Sequence, residues 1–437
     1  MSPIFIYNFQ LCDNNSIVHP ASEHERNDLM HIRKIMTKTA AALLSAALAG
    51  LFTTAGYYSA RLPDSLTSSF GEELKIAQYP EIKLCFGNVG GDDTATLSLF
   101  GAIPVKNIEV RQADAPVFIA GGSPFGIKLL MEGVMVTGLG DVKTESGSAV
   151  CPAADAGLKT GDIVCSANGK PLTSNLQLQA IITRSGGSPI PLSVQRDGDS
   201  FDTVLKPVYS DKTERWTGGM WVRDSIAGIG TMTFIDKSTG RFAGLGHPIC
   251  DSDTGGMVPL HSGEAVPVDI TDTKRGGRGI PGELHGRFNS GGSFGTLDTN
   301  TDCGIFGQLS DGSIERFAAD GEEFRLGYRQ DISIGEAQVY TTVSGDKPQK
   351  YDILIEKIDY NSEDASKNMM IKITDPALLE ASGGIVQGMS GSPIIQNGKL
   401  IGAVTHVFVA DPSRGFAVFA ENMAQHINGC EYGTEDK

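Results

Sequence analysis

Residues 388–393, Gly-Met-Ser-Gly-Ser-Pro, hold the side chain best suited to nucleophilic chemistry. Glycines stand two residues before Ser390 and one residue after it. Such spacing suits a tight bend, because glycine accepts φ > 0 and leaves no side chain to block the hydroxyl. The same bend can aim backbone N–H groups at one point, as an oxyanion hole requires; the groups of Gly388 and Ser390 are the candidates. Ser392 fits less well, since Pro393 restricts it to extended conformations. Behind the serine an apolar run at 393–396, the dipeptide Asn397-Gly398 and a second apolar run at 400–404 predict a β-hairpin. A glycine-rich turn between core strands would read the same way, so the motif needs partners.

A serine nucleophile needs a base, and a carboxylate that holds the base in its tautomer. His247 follows residues 228–246, GIGTMTFIDKSTGRFAGLG, which read as strand, polar turn, strand. There an imidazole at a strand end, among small residues, can project into a cleft. The rivals are His261, His285 and His406; the predicted hairpin strand carries His406 away from Ser390. Carboxylate candidates are Asp251, Asp269, Asp298 and Asp375. Asp375 heads the run DPALLE, which reads equally as a helix N-cap with proline at the first helical position. Both readings stand.

The elements around these residues are turn-rich. Residues 152–172, PAADAGLKTGDIVCSANGKPL, resemble the PDZ pattern. A short helix at 153–156 stops at Gly157, Gly161-Asp162 turns into a strand, and Asn168-Gly169 turns into the next. A second helix is expected over 175–185. Upstream, SPFGIKL at 123–129 resembles a carboxylate-binding loop, in which the N–H groups of Phe125, Gly126 and Ile127 would hold a peptide added to a sheet edge.

Residues 383–407, GGIVQGMSGSPIIQNGKLIGAVTHV, resemble the nucleophile region of chymotrypsin-like serine peptidases. More specifically they resemble the SpoIVB peptidase family of spore-forming bacteria (stage IV sporulation protein B). That resemblance implies an N-terminal membrane segment, a PDZ domain and a C-terminal serine peptidase domain. It implies that the base is His247, in its GLGHPI motif, and that the acid is Asp375. It further implies self-cleavage and signalling between the two membranes of a developing spore. The target would be a membrane-bound regulator whose cleavage activates an intramembrane protease and so releases a late sigma factor. Two other readings compete: a PDZ adaptor carrying a decayed peptidase fold, and a quality-control protease of the HtrA type, in which the PDZ domain follows the peptidase domain.

Composition agrees with a mainly β protein. The 437 residues suggest two to three domains, and 54 Gly and 20 Pro with 7% aromatics suit turn-rich β domains. A net charge of −16 argues against nucleic acid and anionic membrane surfaces as partners. The seven cysteines show no CxxC pair or zinc spacing, and are read mainly as buried free thiols. No Walker loop, HExxH or dinucleotide fingerprint occurs, so neither a cofactor nor a metal is expected.

Residues 39–60 carry no charge and follow Arg33, Lys34 and Lys38. The run is long enough to span a bilayer, and the basic flank predicts N-in, C-out topology. Its length favours a retained anchor over a cleaved signal peptide, and either way the main body lies outside the cytoplasm, open to release by cleavage. The expected organisation is a cytoplasmic N-terminus (1–38, open to reading as a gene-model extension), this segment (39–60), a juxtamembrane linker with a small β element (61–116), a PDZ domain (117–207) and a chymotrypsin-like β-barrel peptidase domain (208–437).

Overall fold

The structure, a computed structural model, describes residues 23–69, 73–86, 94–196, 198–289, 291–345 and 347–427. Two compact units result, residues 1–60 and residues 61–437. Within the first, a helix spans Glu23–Ser59. Its Met30–Ser59 part is long and apolar enough to cross a membrane. Cys12 and Cys430 lie outside the described residues.

The second unit is mainly β. A four-stranded sheet comes first, with Ser65–Ser68 parallel to Ile103–Gln112, which also pairs with Thr94–Leu99. From Val117 to Phe419 nearly all other strands join one hydrogen-bonded sheet that closes on itself. It encloses two apolar clusters. One gathers Phe125, Ile127, Leu129, Met232, Phe242 and Ile305. The other gathers Phe118, Phe234, Phe306, Leu400, Val418 and Met423. The glycine-rich stretch between Leu245 and Asp302 contains the 15-residue strand Leu260–Lys274.

A third cluster, with Val134, Val164, Leu178, Ile190 and Val194, is the core of the PDZ layer. The turn chemistry there follows the residues. Helix Pro152–Asp155 gives way to Gly157 at φ +77, Gly161 sits at φ +96, and Asn168-Gly169 turns with both φ positive. Helix Asn175–Arg184 is capped by the Ser174 hydroxyl, which accepts from Gln177 N–H. Asp162 is buried and paired with Arg196 at 2.6 Å.

The expected carboxylate-binding loop is corrected by the structure. Phe125, Gly126 and Ile127 lie inside the 16-residue strand Pro124–Leu139. Residues 125–127 are flanked on one side by Gly228–Gly230 and on the other by Ala265–Pro267. Both ladder directions are used, so no row of N–H groups is left for a peptide carboxylate. Phe125 and Ile127 are core residues, and a Cβ on Gly126 would press on Phe288 and Val266. The first part of the expected PDZ segment, residues 117–131, therefore pairs with the strands Met220–Ile235, Leu260–Lys274 and Glu323–Leu326. The cysteine reading also changes: Cys303 is buried, Cys151 and Cys165 are half-buried, and Cys85 and Cys250 are exposed.

Candidate active site

Ser390 sits on a bend built as its glycines require. Gly388 has φ +100 and Gly391 φ +98, backbone that only glycine adopts without strain. Gly391 could not be larger for a second reason: a Cβ there would collide with the Thr231 carbonyl and the Leu245 N–H. Thr231 clamps the bend from the facing strand. Its N–H donates to Ser390 O at 2.9 Å, and its hydroxyl donates to Gly388 O at 2.7 Å. On the other side Gly391 N–H donates to Val404 O at 2.7 Å. The bend thus lies between Leu245, from one apolar cluster, and the strand holding Ala403, from the other. Among the described residues, no acceptor engages the N–H groups of Gly388 and Ser390.

Behind the bend, Pro393–Gln396 and Lys399–Phe408 form the expected hairpin, with Asn397 and Gly398 at φ +51 and +74. Ser392 is fully buried and donates to the Thr341 hydroxyl at 2.9 Å, so it has no access to a substrate.

His247 arrives from the strand Arg241–Gly244 through a strained turn. Leu245 takes φ +66, which a branched residue rarely adopts. Gly246 follows at φ +71, lying against Thr405 and Val418. The imidazole Nδ1 is 2.8 Å from the Pro248 carbonyl. That bond makes Nδ1 the donor and leaves Nε2 as the lone-pair nitrogen. Burial pushes the His247 pKa below the ordinary histidine value, against the Pro248 bond, which raises it.

The Ser390 hydroxyl donates to the Thr405 carbonyl at 2.7 Å. Next along the chain, His406 stacks on His247 with ring centroids 4.9 Å apart and planes at 37°. The expectation that the hairpin strand carries His406 away is wrong. The pairing register of that strand slips between Val404 and Val407, and the irregularity returns residues 405 and 406 to the bend. Burial, then the neighbouring His247 and Lys367, push His406 down to about 4, while Asp364 opposes them. Its Nδ1 is buried with no hydrogen-bond partner.

Asp375 is the N-cap of helix Pro376–Ser382. Its Oδ1 accepts from Ala377 N–H at 2.8 Å and Leu378 N–H at 3.4 Å, and its Oδ2 from Asp352 N–H at 3.3 Å. The other carboxylates are also occupied. Asp251 pairs with Arg223, Asp298 pairs with Arg241, and Asp269 accepts from Asn289. Of the rival histidines, His261 is exposed, and His285 is exposed beside Glu283. Among the described residues no carboxylate hydrogen-bonds to His247.

An acid that sequence reasoning missed, Asp364, acts on His406, raising its pKa against burial. It lies in a polar loop, where nothing marks one acid over another. Burial works against its charge, yet Lys367 and Ser366 hold it down at about 2. Thr405, whose carbonyl accepts the hydrogen bond from Ser390, is tied to that loop through its hydroxyl, which donates to Ser366 O at 2.8 Å.

Beside the bend opens a groove of about 380 Å³ whose walls include Ile229, Leu284, Phe288 and Gly388. For metals, among the described residues, Asp302, Cys303 and His426 bring three ligand atoms within 4.8 Å of one another. Burial, and then Asp302, push the Cys303 thiol far above its ordinary value, so it is protonated as it stands.

Residues 214–424 match the family model described as SpoIVB peptidase S55, and residues 145–196 match the PDZ domain model. A Bartonella henselae protein named as a zinc metalloprotease is 33% identical over 79 residues, 18% of this chain and 22% of that protein. The chain thus spans under a quarter of that relative's length. A crystal structure of the PDZ domain of the SdrC-like protein of Listeria monocytogenes is 22% identical, covers 21% of this chain and 87% of its own, and has a TM-score of 0.17. Residues 214–424 are thus similar to the SpoIVB peptidase S55 family, and a PDZ domain match lies ahead of that region, the combination that the sequence resemblance implies.

Proposed function

We propose that the chain is a serine endopeptidase in which Ser390 is the nucleophile and His247 its general base. The observation that carries this reading is the Ser390 bend. Two positive-φ glycines shape it, Thr231 holds the Gly388 and Ser390 carbonyls, and among the described residues no acceptor engages the N–H groups of Gly388 and Ser390, which supports an oxyanion hole made of those two groups. In the first step the Ser390 hydroxyl exchanges its bond to Thr405 for one to His247 Nε2. His247 takes the proton as Ser390 attacks the scissile carbonyl, and the two N–H groups hold the oxyanion. His247 then protonates the leaving amine, and water releases the acyl group by the same route. The Pro248 carbonyl orients the ring in the observed state. Asp375 is the acid that the family resemblance implies, and its capping bonds would have to be given up or shared for that role. A closed sheet around two apolar clusters, with Ser390 between them, supports a chymotrypsin-like arrangement.

The setting is proposed from the resemblance to the SpoIVB peptidase family and from the N-terminal helix. The enzyme is membrane-tethered with its body extracytoplasmic, cleaves itself, and acts in sporulation signalling. Its substrate there is a membrane-bound regulator of an intramembrane protease that activates a late sigma factor.

A fluorophosphonate probe tests the nucleophile. Label on the Ser390 peptide by mass spectrometry, lost in His247→Ala, is the expected result. Label elsewhere, or cleavage of a peptide substrate that persists in Ser390→Ala, would overturn it. The absence of any carboxylate on His247 favours one second reading, a PDZ scaffold with an inactive peptidase fold. That reading predicts no labelling and full function in Ser390→Ala.

A further inference from the structure

PDZ domains take a peptide as an added antiparallel strand, laid between a sheet edge and a helix. Here the edge is residues 134–139 and the helix is Asn175–Arg184. The chain itself fills the place between them. Met220, Trp221, Val222 and Arg223 pair antiparallel with Leu139, Gly138, Val136 and Met135. The same segment runs along the helix. A Cβ on Gly218 would sit 3.5 Å from Ile182 Cδ1. At the opposite end Asp224 Oδ2 accepts the Asn175 N–H at 2.8 Å, at the helix N-terminus.

The side chains alternate as a bound strand's would. Met220 and Val222 pack on the PDZ core cluster, while Trp221 is 64% exposed. The resident strand therefore reads apolar, any, apolar, any, carboxylate. Its ladder is broken twice, between Trp221 and Val222 and between Arg223 and Ser225. A ladder with two bulges is held less firmly than an unbroken one.

Beyond residue 224 the strand continues without a turn to Ile235. On the way it delivers Thr231, the residue that clamps Gly388 and Ser390. From Val222 to Thr231 is roughly 30 Å of extended chain at about 3.3 Å per residue. One strand is thus at once the occupant of the PDZ groove and the support of the nucleophile bend.

We propose that residues 220–224 are a resident, displaceable ligand of the PDZ groove. An extended peptide of the pattern apolar, any, apolar, any, carboxylate exchanges with them and thereby changes the set of the Ser390 bend through Thr231. The exchange stands on the strand register alone; the effect on cleavage rests on the reading of Ser390 as the nucleophile.

Both tryptophans of the chain, Trp216 and Trp221, lie in or beside the resident segment, so intrinsic fluorescence reports the exchange. The probe is a synthetic copy of residues 218–224 with Phe in place of Trp221, titrated onto the full chain in detergent. A competitor's apparent Kd is its intrinsic Kd divided by the open fraction. Val222→Asp, which takes an apolar anchor from the resident strand, is expected to tighten the apparent Kd of the probe at least tenfold, with a shift in emission. Met220→Ala, milder and safer for folding, is expected to tighten it about threefold. Equal affinities in the wild type and both variants, or no binding to any of them at millimolar probe, overturn the proposal. For the relay, saturating probe should change the rate of cleavage of a fluorogenic peptide at least twofold. Exchange with an unchanged rate overturns the relay alone. A wild-type chain that cleaves nothing overturns the Ser390 reading, and the relay with it, while the fluorescence result still decides the exchange.

Discussion

The Ser390 hydroxyl donates to the Thr405 carbonyl at 2.7 Å. It is thus held on the side of the bend away from Thr231, by the residue next to the His406 ring that stacks on His247. If Ser390 is the nucleophile, as proposed, its first move must be to leave this acceptor. Ser390→Ala removes that acceptor's partner and the reactive oxygen together. Cleavage of a peptide substrate is expected to fall at least about a thousandfold. Ser392→Ala should keep wild-type kinetics. It leaves the buried Thr341 hydroxyl without its donor and should cost about 1 kcal/mol of stability by denaturant melt. A Ser392→Ala protein that folds but does not cleave would reverse the two assignments.

The histidine pair sets a pH expectation. His247 is pushed below the ordinary value by burial, and His406 is pushed to about 4. A base whose pKa is depressed stays unprotonated further into acid. The acid limb of the rate profile should therefore fall below the ordinary histidine value of 6.5. The linkage for stability has the same sign. The unfolded chain takes up protons on these rings before the folded one does, so their contribution is fully present above 6.5 and shrinks as pH falls toward 4. His406→Phe removes one titrating ring and keeps the stacking area. Less loss of thermal stability between pH 6.5 and 4 than in the wild type is expected; an equal loss would mean that His406 does not titrate in this window.

Asp375 separates capping from catalysis. Asn caps nearly as well as Asp, whereas Ala does not. By the observed bonds, Asp375→Asn should stay within a few tenths of a kcal/mol of the wild type and Asp375→Ala should lose about 1 kcal/mol. Cleavage kinetics are the deciding measurement. A rate near the wild type in the Asn variant keeps Asp375 as a cap. A rate lost in a fully folded Asn variant would place its carboxylate on His247 during the reaction.

Thiol chemistry gives an independent check of burial. Cys85 and Cys250 are exposed, whereas Cys303 is buried and its thiol is pushed far up by burial. In the folded chain a maleimide should modify the first two within minutes and spare Cys303 until denaturant is added. Rapid labelling of Cys303 would show that the cluster with Asp302 and His426 opens readily.

What could be read without the fold was local. The Asn168-Gly169 and Asn397-Gly398 turns, the Gly157 helix stop and the two glycines around Ser390 each announce a backbone need that only a few residues meet. Long-range placement was hidden. SPFGIKL carries the letters of a loop motif, yet it is a central strand, because distant ladder partners in the strands Met220–Ile235 and Leu260–Lys274 claim both of its edges. His406 was discarded on the assumption of a regular strand, and a register slip of the kind found at Val404–Val407 has no marker in a run such as GAVTHV. Asp364 belongs to a polar loop in which every acid looks solvated.

The PDZ layer is an insertion, entered along Pro124–Leu139 and left along Met220–Ile235, two strands that remain zipped to each other beneath it. A backbone cut within the layer would therefore not release a domain. Both pieces would stay clasped by that ribbon, and a nicked chain would run as two bands on a denaturing gel while still sedimenting as one particle. Band loss in a self-cleavage time course thus counts broken bonds, and only a native separation counts lost enzymes.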